Sequence, residues 1–361
     1  ATTVASFGVA VTGVADIPLV EVQDSVGNED AAIALDIDVT VNGQSIPANM
    51  TPEGEPAITL SEQVEIVISG VPTGATLSNG TDNGDGTWTL EPNDLNDLTI
   101  TPAQDDSSDF NLTVTATATE ADSGDVILDV ATLNVEVLGV ADTPTVNVTD
   151  VTGAEDSAIP LDITSAITDI DGSESLSIEI TGVPEGATLS AGTSSVVDGV
   201  TTWTLTPEEL TGLTITPAAD DSSDFTLSVT ATASEEGTTD SVSTTLDVTV
   251  TGVADTPTVT VNDASGTEDT AITLDVSGAV TDAGESLSLS IGDIPEGATL
   301  TSGTDSFTAT ADTTSVDISG WDLGSLTITP PANSDVDFDL SVTATSSEDG
   351  TSASSTGSMT V

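Results

Sequence analysis

The chain repeats itself at domain-length intervals, and this repetition limits its fold more than any other feature. Near copies of one short phrase stand at Thr12–Pro18 (TGVADIP), Leu138–Pro144 (LGVADTP) and Thr251–Pro257 (TGVADTP). The Asp residues of these joint phrases, Asp16, Asp142 and Asp255, begin units of roughly one hundred residues, which is the size of a domain rather than of a solenoid repeat. The sequence therefore predicts a row of separate domains joined at these phrases.

Within each unit, the same landmarks follow in the same order. An acidic pair stands 13 and 14 residues after the joint Asp, a Glu stands ten residues before a Pro, and a Phe stands eight residues after the Pro of an LTITP motif. The acidic pairs are Glu29-Asp30, Glu155-Asp156 and Glu268-Asp269, and the later Glu residues are Glu62, Glu174 and Glu285. Acids at fixed offsets indicate a shared role, whereas scattered acids are explained by a solvated surface.

Short segments alternate apolar and polar residues with the period of a β-strand. In Phe225–Ala233 the apolar residues alternate with Thr and Ser, and Leu246, Val248 and Val250 continue the alternation in a second segment. Turns rich in Gly, Pro and Asp separate such segments, and no segment carries a helical apolar stripe. We therefore predict an all-β fold: a tandem array of three immunoglobulin-like or cadherin-like antiparallel β-sandwich domains in an elongated rod.

The predicted domains follow the joint phrases. Residues 1–13 match the closing strand at 243–252, and we predict that residues 1–15 are the closing strand of a preceding repeat, or a donated strand. We predict β-sandwich repeats at 16–141, with an expanded loop, at 142–254 and at 255–361. The Pro of each joint phrase restricts the backbone, so we expect short and restricted joints. Each unit has one Trp, and a Phe at the same place in its motif order; these residues are expected to fill the cores.

Composition excludes most classes of function. The chain has 62 Asp and Glu residues and no Lys, Arg, His or Cys, so its formal charge is -62. Nucleic acid and anionic lipid repel such a chain, and catalytic triads, zinc sites and disulfides cannot be built from it. No apolar run is long enough to span a membrane. The remaining oxygen ligands suit hard cations such as Ca2+ and Mg2+, and no isolated carboxylate pair indicates an enzyme.

The order of the motifs resembles two known groups of proteins. An early acidic pair in GTEDTAI, a TDIDG loop, an ADDSSDF loop and an Asp at the joint resemble the calcium-binding plan of cadherin repeats. The phrases GVADTPTV, VPEGATLSAGT and DDSSDFTLSVTATA resemble the extender repeats of giant bacterial RTX adhesins secreted by type I systems. This second resemblance covers essentially the whole chain. It implies an extracellular location on the bacterial cell surface.

The cadherin resemblance implies two sets of Ca2+ ligands. The first joint would use Glu29, Asp30, Asp105, Asp106, Asp109, Asp142, Asp169 and Asp171, and the second would use Glu155, Asp156, Asp220, Asp221, Asp224, Asp255 and Asp282. The third unit has TDAGE where the second has TDIDGSE, so we expect its joint to bind fewer or weaker ions. Glu62, Glu174 and Glu285 are secondary candidates. For any single Asp, capping of turn amides is an equally good explanation.

Three functions follow from these patterns. The leading hypothesis is a structural extender segment of a bacterial adhesin, stiffened by Ca2+ between neighbouring repeats, that projects a ligand-binding tip for adhesion or biofilm formation. The tip is expected to lie outside this segment. The alternatives are a glycan- or surface-binding module, and a self-assembling extracellular filament or sheath subunit with homotypic contacts. Direct membrane insertion and nucleic-acid binding are not expected.

Overall fold

The computed structural model describes residues 8, 12–41, 44–45, 62–169, 171–197 and 199–361. The predicted all-β fold is confirmed, because the described residues form 33 short strands. The helices of these ranges are three 3-10 turns at Pro92–Leu95, Pro207–Leu210 and Leu323–Ser325, and no helix here is long and apolar enough to cross a membrane. Most of the predicted closing strand at 1–15 and of the predicted expanded loop lies outside the described residues.

Twelve strands lie between residues 18 and 138. They are β1 (Pro18–Gln23), β2 (Ser25–Asn28), β3 (Ile33–Ala34), β4 (Asp36–Val41), β5 (Gln44–Ser45), β6 (Glu62–Ser69), β7 (Thr76–Leu77), β8 (Thr81–Asp82), β9 (Thr87–Leu90), β10 (Thr99–Thr101), β11 (Phe110–Glu120) and β12 (Val126–Leu138). Their sheets have the orders β1-β4-β5, β3-β10-β7 and β2-β12-β11-β6-β9-β8. All described pairs are antiparallel except β2 with β12, which are parallel.

The next strands repeat this arrangement. They are β13 (Thr145–Thr149), β14 (Val151–Ala154), β15 (Ile159–Pro160), β16 (Asp162–Ala166), β17 (Ser175–Thr181), β18 (Thr188–Leu189), β19 (Thr193–Val197), β20 (Val200–Leu205), β21 (Thr214–Thr216), β22 (Phe225–Glu235) and β23 (Thr238–Thr251). Their sheets have the orders β13-β16, β14-β23-β22-β17-β20-β19 and β15-β21-β18. The parallel pair here is β14 with β23.

The last strands differ in their pairing. They are β24 (Thr258–Asn262), β25 (Ile272–Thr273), β26 (Asp275–Ala279), β27 (Ser286–Gly292), β28 (Thr299–Ser302), β29 (Asp305–Thr308), β30 (Val316–Asp317), β31 (Thr327–Thr329), β32 (Asp339–Glu348) and β33 (Thr351–Thr360). Their sheets have the orders β24-β26, β25-β31-β28-β29 and β30-β27-β32-β33. The Trp-containing segment around Trp321 is a turn here rather than a strand, in contrast to β9 and β20.

The cores are built from the apolar residues that alternate along the strands. Val, Leu, Ile and Ala side chains fill the buried positions, as the low aromatic content requires. Trp88 and Phe110 pack half-buried against the first core, and Trp321 and Phe338 pack against the last one. The packing role predicted for these aromatic residues is therefore confirmed at both places.

The chain forms two compact units. The first comprises Ala1–Thr145, Ser165–Ser177 and Ala231–Val242, and the second comprises Val146–Thr164, Ile178–Thr230 and Ser243–Val361. Each cluster of carboxylates described below lies within one unit. The repeat boundaries at Asp16, Asp142 and Asp255 remain predictions.

Candidate metal centres

The parallel strand pairs bring the early Glu residues beside the joint phrases. β2 runs parallel to the end of β12, and β14 runs parallel to the end of β23. Glu29 and Glu155 follow β2 and β14 directly, and their backbone N–H groups donate to the carbonyls of Leu138 and Thr251 at 3.0 Å. Each of these Glu residues therefore stands next to the Gly of a joint phrase.

A second buried Glu reaches each joint phrase from the end of a long strand. In β22 the buried positions are every second residue, and Glu235 takes the last of them; Glu348 has the same position in β32. A Cβ added to Gly139 would lie 2.0 Å from Glu235 Oε1, and one added to Gly252 would lie 2.2 Å from Glu348 Oε1. The joint phrase contains Gly because the Glu side chain occupies the space of a Cβ.

Six carboxylates form a first acidic centre in the first unit. Its inner trio is Glu29, Asp171 and Glu235, its outer trio is Asp30, Asp105 and Asp142, and in each trio the three ligand oxygens lie within 4.8 Å of one another. Glu29 and Glu235 are only 4% and 3% exposed. Within the described residues, Glu29 Oε2 and both oxygens of Glu235 accept no hydrogen bond. Two members of the inner trio are thus buried carboxylates without the donors that such groups normally require, and the third, Asp171, is exposed.

The outer trio depends on left-handed turns. Asp30 and Asp105 have φ angles of 51° and 52°, a conformation that Asp adopts more readily than most residues. The N–H of Asp105 donates to Asp30 Oδ1 at 3.2 Å, and the N–H of Asp142 donates to Glu174 Oε1. Local conformation therefore explains Asp at two of these positions, but it does not explain why three carboxylates converge.

A second acidic centre in the second unit has the same plan. Its inner trio is Glu155, Asp282 and Glu348, and its outer trio is Asp156, Asp220 and Asp255. Glu155 is 1% exposed. Oxygens of all three inner residues, Glu155 Oε2, Asp282 Oδ2 and Glu348 Oε2, accept no hydrogen bond from the part of the chain that the structure describes. The arrangement of buried carboxylates without donors therefore occurs twice, once in each unit.

Burial and mutual repulsion raise the pKa of several of these carboxyls. Burial raises the pKa of Glu29 from 4.5 to about 7; the N–H of Val140 opposes this shift, and the charges of Glu235 and Asp169 add to it. Burial is also the main cause of the raised pKa of Asp142, Glu155, Glu174, Asp255 and Glu348, and neighbouring acids add to it in each case. Without a cation, the centres therefore hold protons more tightly than free carboxyls do.

Asp171 is the exception in the first inner trio. Burial raises its pKa, but hydrogen bonds from Ser173 and Ser107 outweigh this effect and hold the pKa well below its usual range. The N–H and Oγ of Ser107 donate to Asp171 Oδ2 at 3.0 and 2.9 Å. Asp171 is therefore ionised and oriented by its neighbours.

Most of the residues predicted as ligands belong to these trios, and five do not: Asp106, Asp109, Asp169, Asp221 and Asp224. Asp109 accepts the N–H of Val137 on β12, and Asp224 accepts the N–H of Val250 on β23, each at 2.8 Å. Asp106 and Asp221 each accept the N–H of the Ser two residues later. Asp169 is buried and accepts the N–H of Asp171. The oxygens of these five residues thus stabilise turns and strand ends.

Glu235 and Glu348 were not among the ligands predicted from the sequence. A signal for them exists, because Glu120, Glu235 and Glu348 each stand ten residues after the shared Phe. The secondary candidates Glu174 and Glu285 accept the N–H groups of Asp142 and Asp255, so they hold the joint Asp residues in place.

The donor atoms of both centres fit Ca2+. Calcium binds six to eight oxygens at about 2.3 to 2.6 Å, so ligands on opposite sides of the ion are about 5 Å apart. The oxygens of each trio lie within 4.8 Å of one another, which is compatible with one shared ion per trio. Carboxylates supply only part of such a shell, and backbone carbonyls or water would supply the rest.

Comparisons with known proteins found similarity to solved structures. No protein-family model and no curated protein matches it. Drosophila N-cadherin EC1-4 is similar at 12% identity, over 97% of this chain and 76% of that chain, with a TM-score of 0.30. The titin fragment I67-I69 is similar at 11% identity, over 95% and 97%, also with a TM-score of 0.30. Both are tandem cadherin-like or immunoglobulin-like proteins, and at these scores they carry no argument about function.

Proposed function

We propose that this chain is a structural segment of an extracellular adhesion protein, in which Ca2+ at the two acidic centres joins successive β-sandwiches. The observation that carries the proposal is the set of buried carboxylate oxygens without donors, at Glu29, Glu235, Glu155, Asp282 and Glu348. These residues are far apart in the sequence, yet the fold gathers their oxygens into two small groups. A cation among them would link the segments that supply them.

The electrostatics favour a cation from solution. Two ionised carboxylates about 4 Å apart repel by roughly 4 kcal/mol at the effective dielectric of a protein surface. The sequence has no Lys, Arg or His to relieve that repulsion, so protonation or a bound cation must do so. Oxygen ligands favour hard divalent cations, and a centre with this many carboxylates suits the flexible coordination of Ca2+. An ion that binds only the folded state also stabilises that state by mass action.

The adhesion role is proposed from the repeats. Their resemblance to the extender repeats of RTX adhesins supports a bacterial cell-surface protein, whose sandwiches act as spacers for a tip outside this segment in adhesion or biofilm formation. Extracellular calcium sites work at dissociation constants of about 0.1 to 1 mM, so centres exposed to an external medium need only modest affinity. The partners in this proposal are the neighbouring repeats of the same chain.

Thermal melting of the full chain in excess Ca2+ and in excess chelator tests the proposal. We expect a clearly higher melting temperature in Ca2+, and a smaller effect of Mg2+ because that ion demands a tighter octahedral shell. Replacing both Glu29 and Glu155 with Gln should remove most of the stabilisation by Ca2+. The matched control is Glu179→Gln, an exposed Glu on β17, which should leave it unchanged. Equal melting temperatures of the unaltered chain in Ca2+ and in chelator would refute the proposal.

A further inference from the structure

We propose that the two acidic centres bind Ca2+ with unequal affinity, so that the first centre fills at a lower free Ca2+ concentration than the second. This inference rests on the proposed function, because it concerns the same two centres. A difference between the loops that supply Asp171 and Asp282 carries it.

The loop of the first centre contains an acid that the loop of the second centre lacks. The two loops are TDIDGSE at Thr168–Glu174 and TDAGE at Thr281–Glu285. Both begin with the same turn: the N–H of Asp171 donates to Asp169 Oδ1, and the N–H of Gly284 donates to Asp282 Oδ1, each at 2.8 Å. Gly284 therefore stands in the turn at the place that Asp171 takes in the first centre.

Neighbouring Ser residues orient the extra carboxylate. Ser107 donates two hydrogen bonds to Asp171 Oδ2, and the N–H of Ser173 donates to Asp171 Oδ1 at 2.7 Å. The Oγ of Ser173 also donates to Asp171 Oδ1, so four hydrogen bonds occupy this carboxylate, and a bound ion would take the place of the Ser107 or Ser173 hydroxyl, each of which can rotate away. In the second centre, the Oγ of Ser222 donates to Glu348 Oε1 at 3.1 Å instead. Hydroxyls therefore donate to an inner carboxylate in both centres, and the difference between the centres is the added charge of Asp171 in the first.

Counting acids around each inner trio gives the same order. The first centre has Glu29, Asp169, Asp171, Glu174 and Glu235, and the second has Glu155, Asp282, Glu285 and Glu348. Glu236 and Asp349 add one matched acid to each, since they accept the N–H groups of Gly139 and Gly252. The outer trios are matched, with three Asp residues each. Calcium affinity rises with the number of charged ligands, and one carboxylate fewer near a divalent ion lowers it about tenfold or more. Buried oxygens without donors are present in both centres, so each is a binding site and only their affinities differ.

Hydrogen exchange read by mass spectrometry can follow each centre separately in the full chain. The reporters are the amides of the joint phrases, since Val140 donates to Glu29 Oε1 and Val253 donates to Glu155 Oε1, each at 2.7 Å. The metal-free chain is titrated with CaCl2 at buffered free Ca2+ concentrations. We expect Val140 to become protected at a free Ca2+ concentration about tenfold or more below that for Val253.

Two variants test the role of the extra Asp: one removes it from the first centre, and the other adds an Asp at the matching place in the second. Asp171→Gly should raise the midpoint at Val140 about tenfold and leave Val253 unchanged. Gly284→Asp should lower the midpoint at Val253, because it adds a carboxylate to the second centre. A Cβ at this position would lie 2.5 Å from Glu348 Oε1, and that flexible end of the Glu348 side chain can move aside. Asp162→Asn, which removes an exposed charge on β16, should change neither midpoint.

The outcomes separate this inference from the proposed function. Equal midpoints in the unaltered chain, or protection of Val253 at a lower free Ca2+ concentration than Val140, overturn the inequality while Ca2+ binding stands. Unchanged exchange at both phrases on addition of CaCl2 overturns both. If either variant fails to fold, the comparison of the two midpoints within the unaltered chain still decides the question.

Discussion

Replacing Glu235 with Gln should change stability in opposite directions with and without Ca2+. Glu235 is buried, both of its oxygens lack donors in the described part of the chain, and its ligand oxygen lies within 4.8 Å of that of Glu29. Without a metal ion, the substitution removes a repulsion between two buried carboxylates. With Ca2+ bound, it removes a ligand instead.

The size of each effect follows from the geometry. At an effective dielectric of about 20, two unit charges 4.8 Å apart repel by about 3.5 kcal/mol, and the gain expected from Glu235→Gln in the metal-free protein is of this order. This gain requires Glu29 to be ionised, hence a pH above about 7. In Ca2+, each tenfold loss of affinity removes about 1.4 kcal/mol of stability at a fixed saturating concentration.

The assay is thermal melting by circular dichroism at about pH 8, in excess chelator and again in excess Ca2+. We expect Glu235→Gln to melt above the unaltered chain in chelator and below it in Ca2+, whereas the exposed Glu179→Gln melts with the unaltered chain in both. A shift of Glu235→Gln in the same direction under both conditions would refute the reasoning, because a purely structural role for Glu235 predicts that result.

Two further predictions concern pH and the joint glycines. The pKa of Glu29 is raised from 4.5 to about 7 in the folded protein, so the metal-free folded state binds more protons than the unfolded state between these values. Its melting temperature should therefore rise as the pH falls from about 7 to about 5, whereas that of the Ca2+-loaded protein should fall because protons compete for the same oxygens. Parallel pH profiles would contradict this. Gly252→Ala places a Cβ 2.2 Å from Cδ and 2.5 Å from Cγ of Glu348, so the side chain must shift along its length and not only at its end, and the melting temperature should fall by an amount equivalent to about 1 to 3 kcal/mol. Gly320→Ala, with no atom within 4 Å of the added Cβ, should be neutral, and an equal loss for both would contradict the packing argument.

The strand content was predictable because it depends on local patterns. The alternation in Phe225–Ala233 has the period of a strand, and the structure buries its apolar residues from Leu227 onward and half-buries Phe225. The pairing order of the sheets was not predictable in this way, since it depends on contacts between residues far apart in the sequence. The turn around Trp321 also departs from the strands that hold Trp88 and Trp203, although all three belong to matching motifs.

The candidate centres were predictable where acids cluster in turns. Glu29, Asp30, Glu155 and Asp156 stood out by their fixed offsets from the joint phrases. Glu235 and Glu348 were missed because a charged residue at a strand end is ordinarily exposed. Yet each continues the buried phase of its strand, so the alternation itself places the carboxylate inside. The buried Glu side chains also leave no room for a Cβ at the Gly of the neighbouring joint phrase.

The most direct test of the central claim is a crystal structure of the full chain grown in excess Ca2+. We expect electron density for ions between Glu29, Asp171 and Glu235 and between Glu155, Asp282 and Glu348, with oxygen ligands at about 2.3 to 2.6 Å. Density for water alone at both inner trios, with these carboxylates hydrogen-bonded as protonated acids, would contradict it.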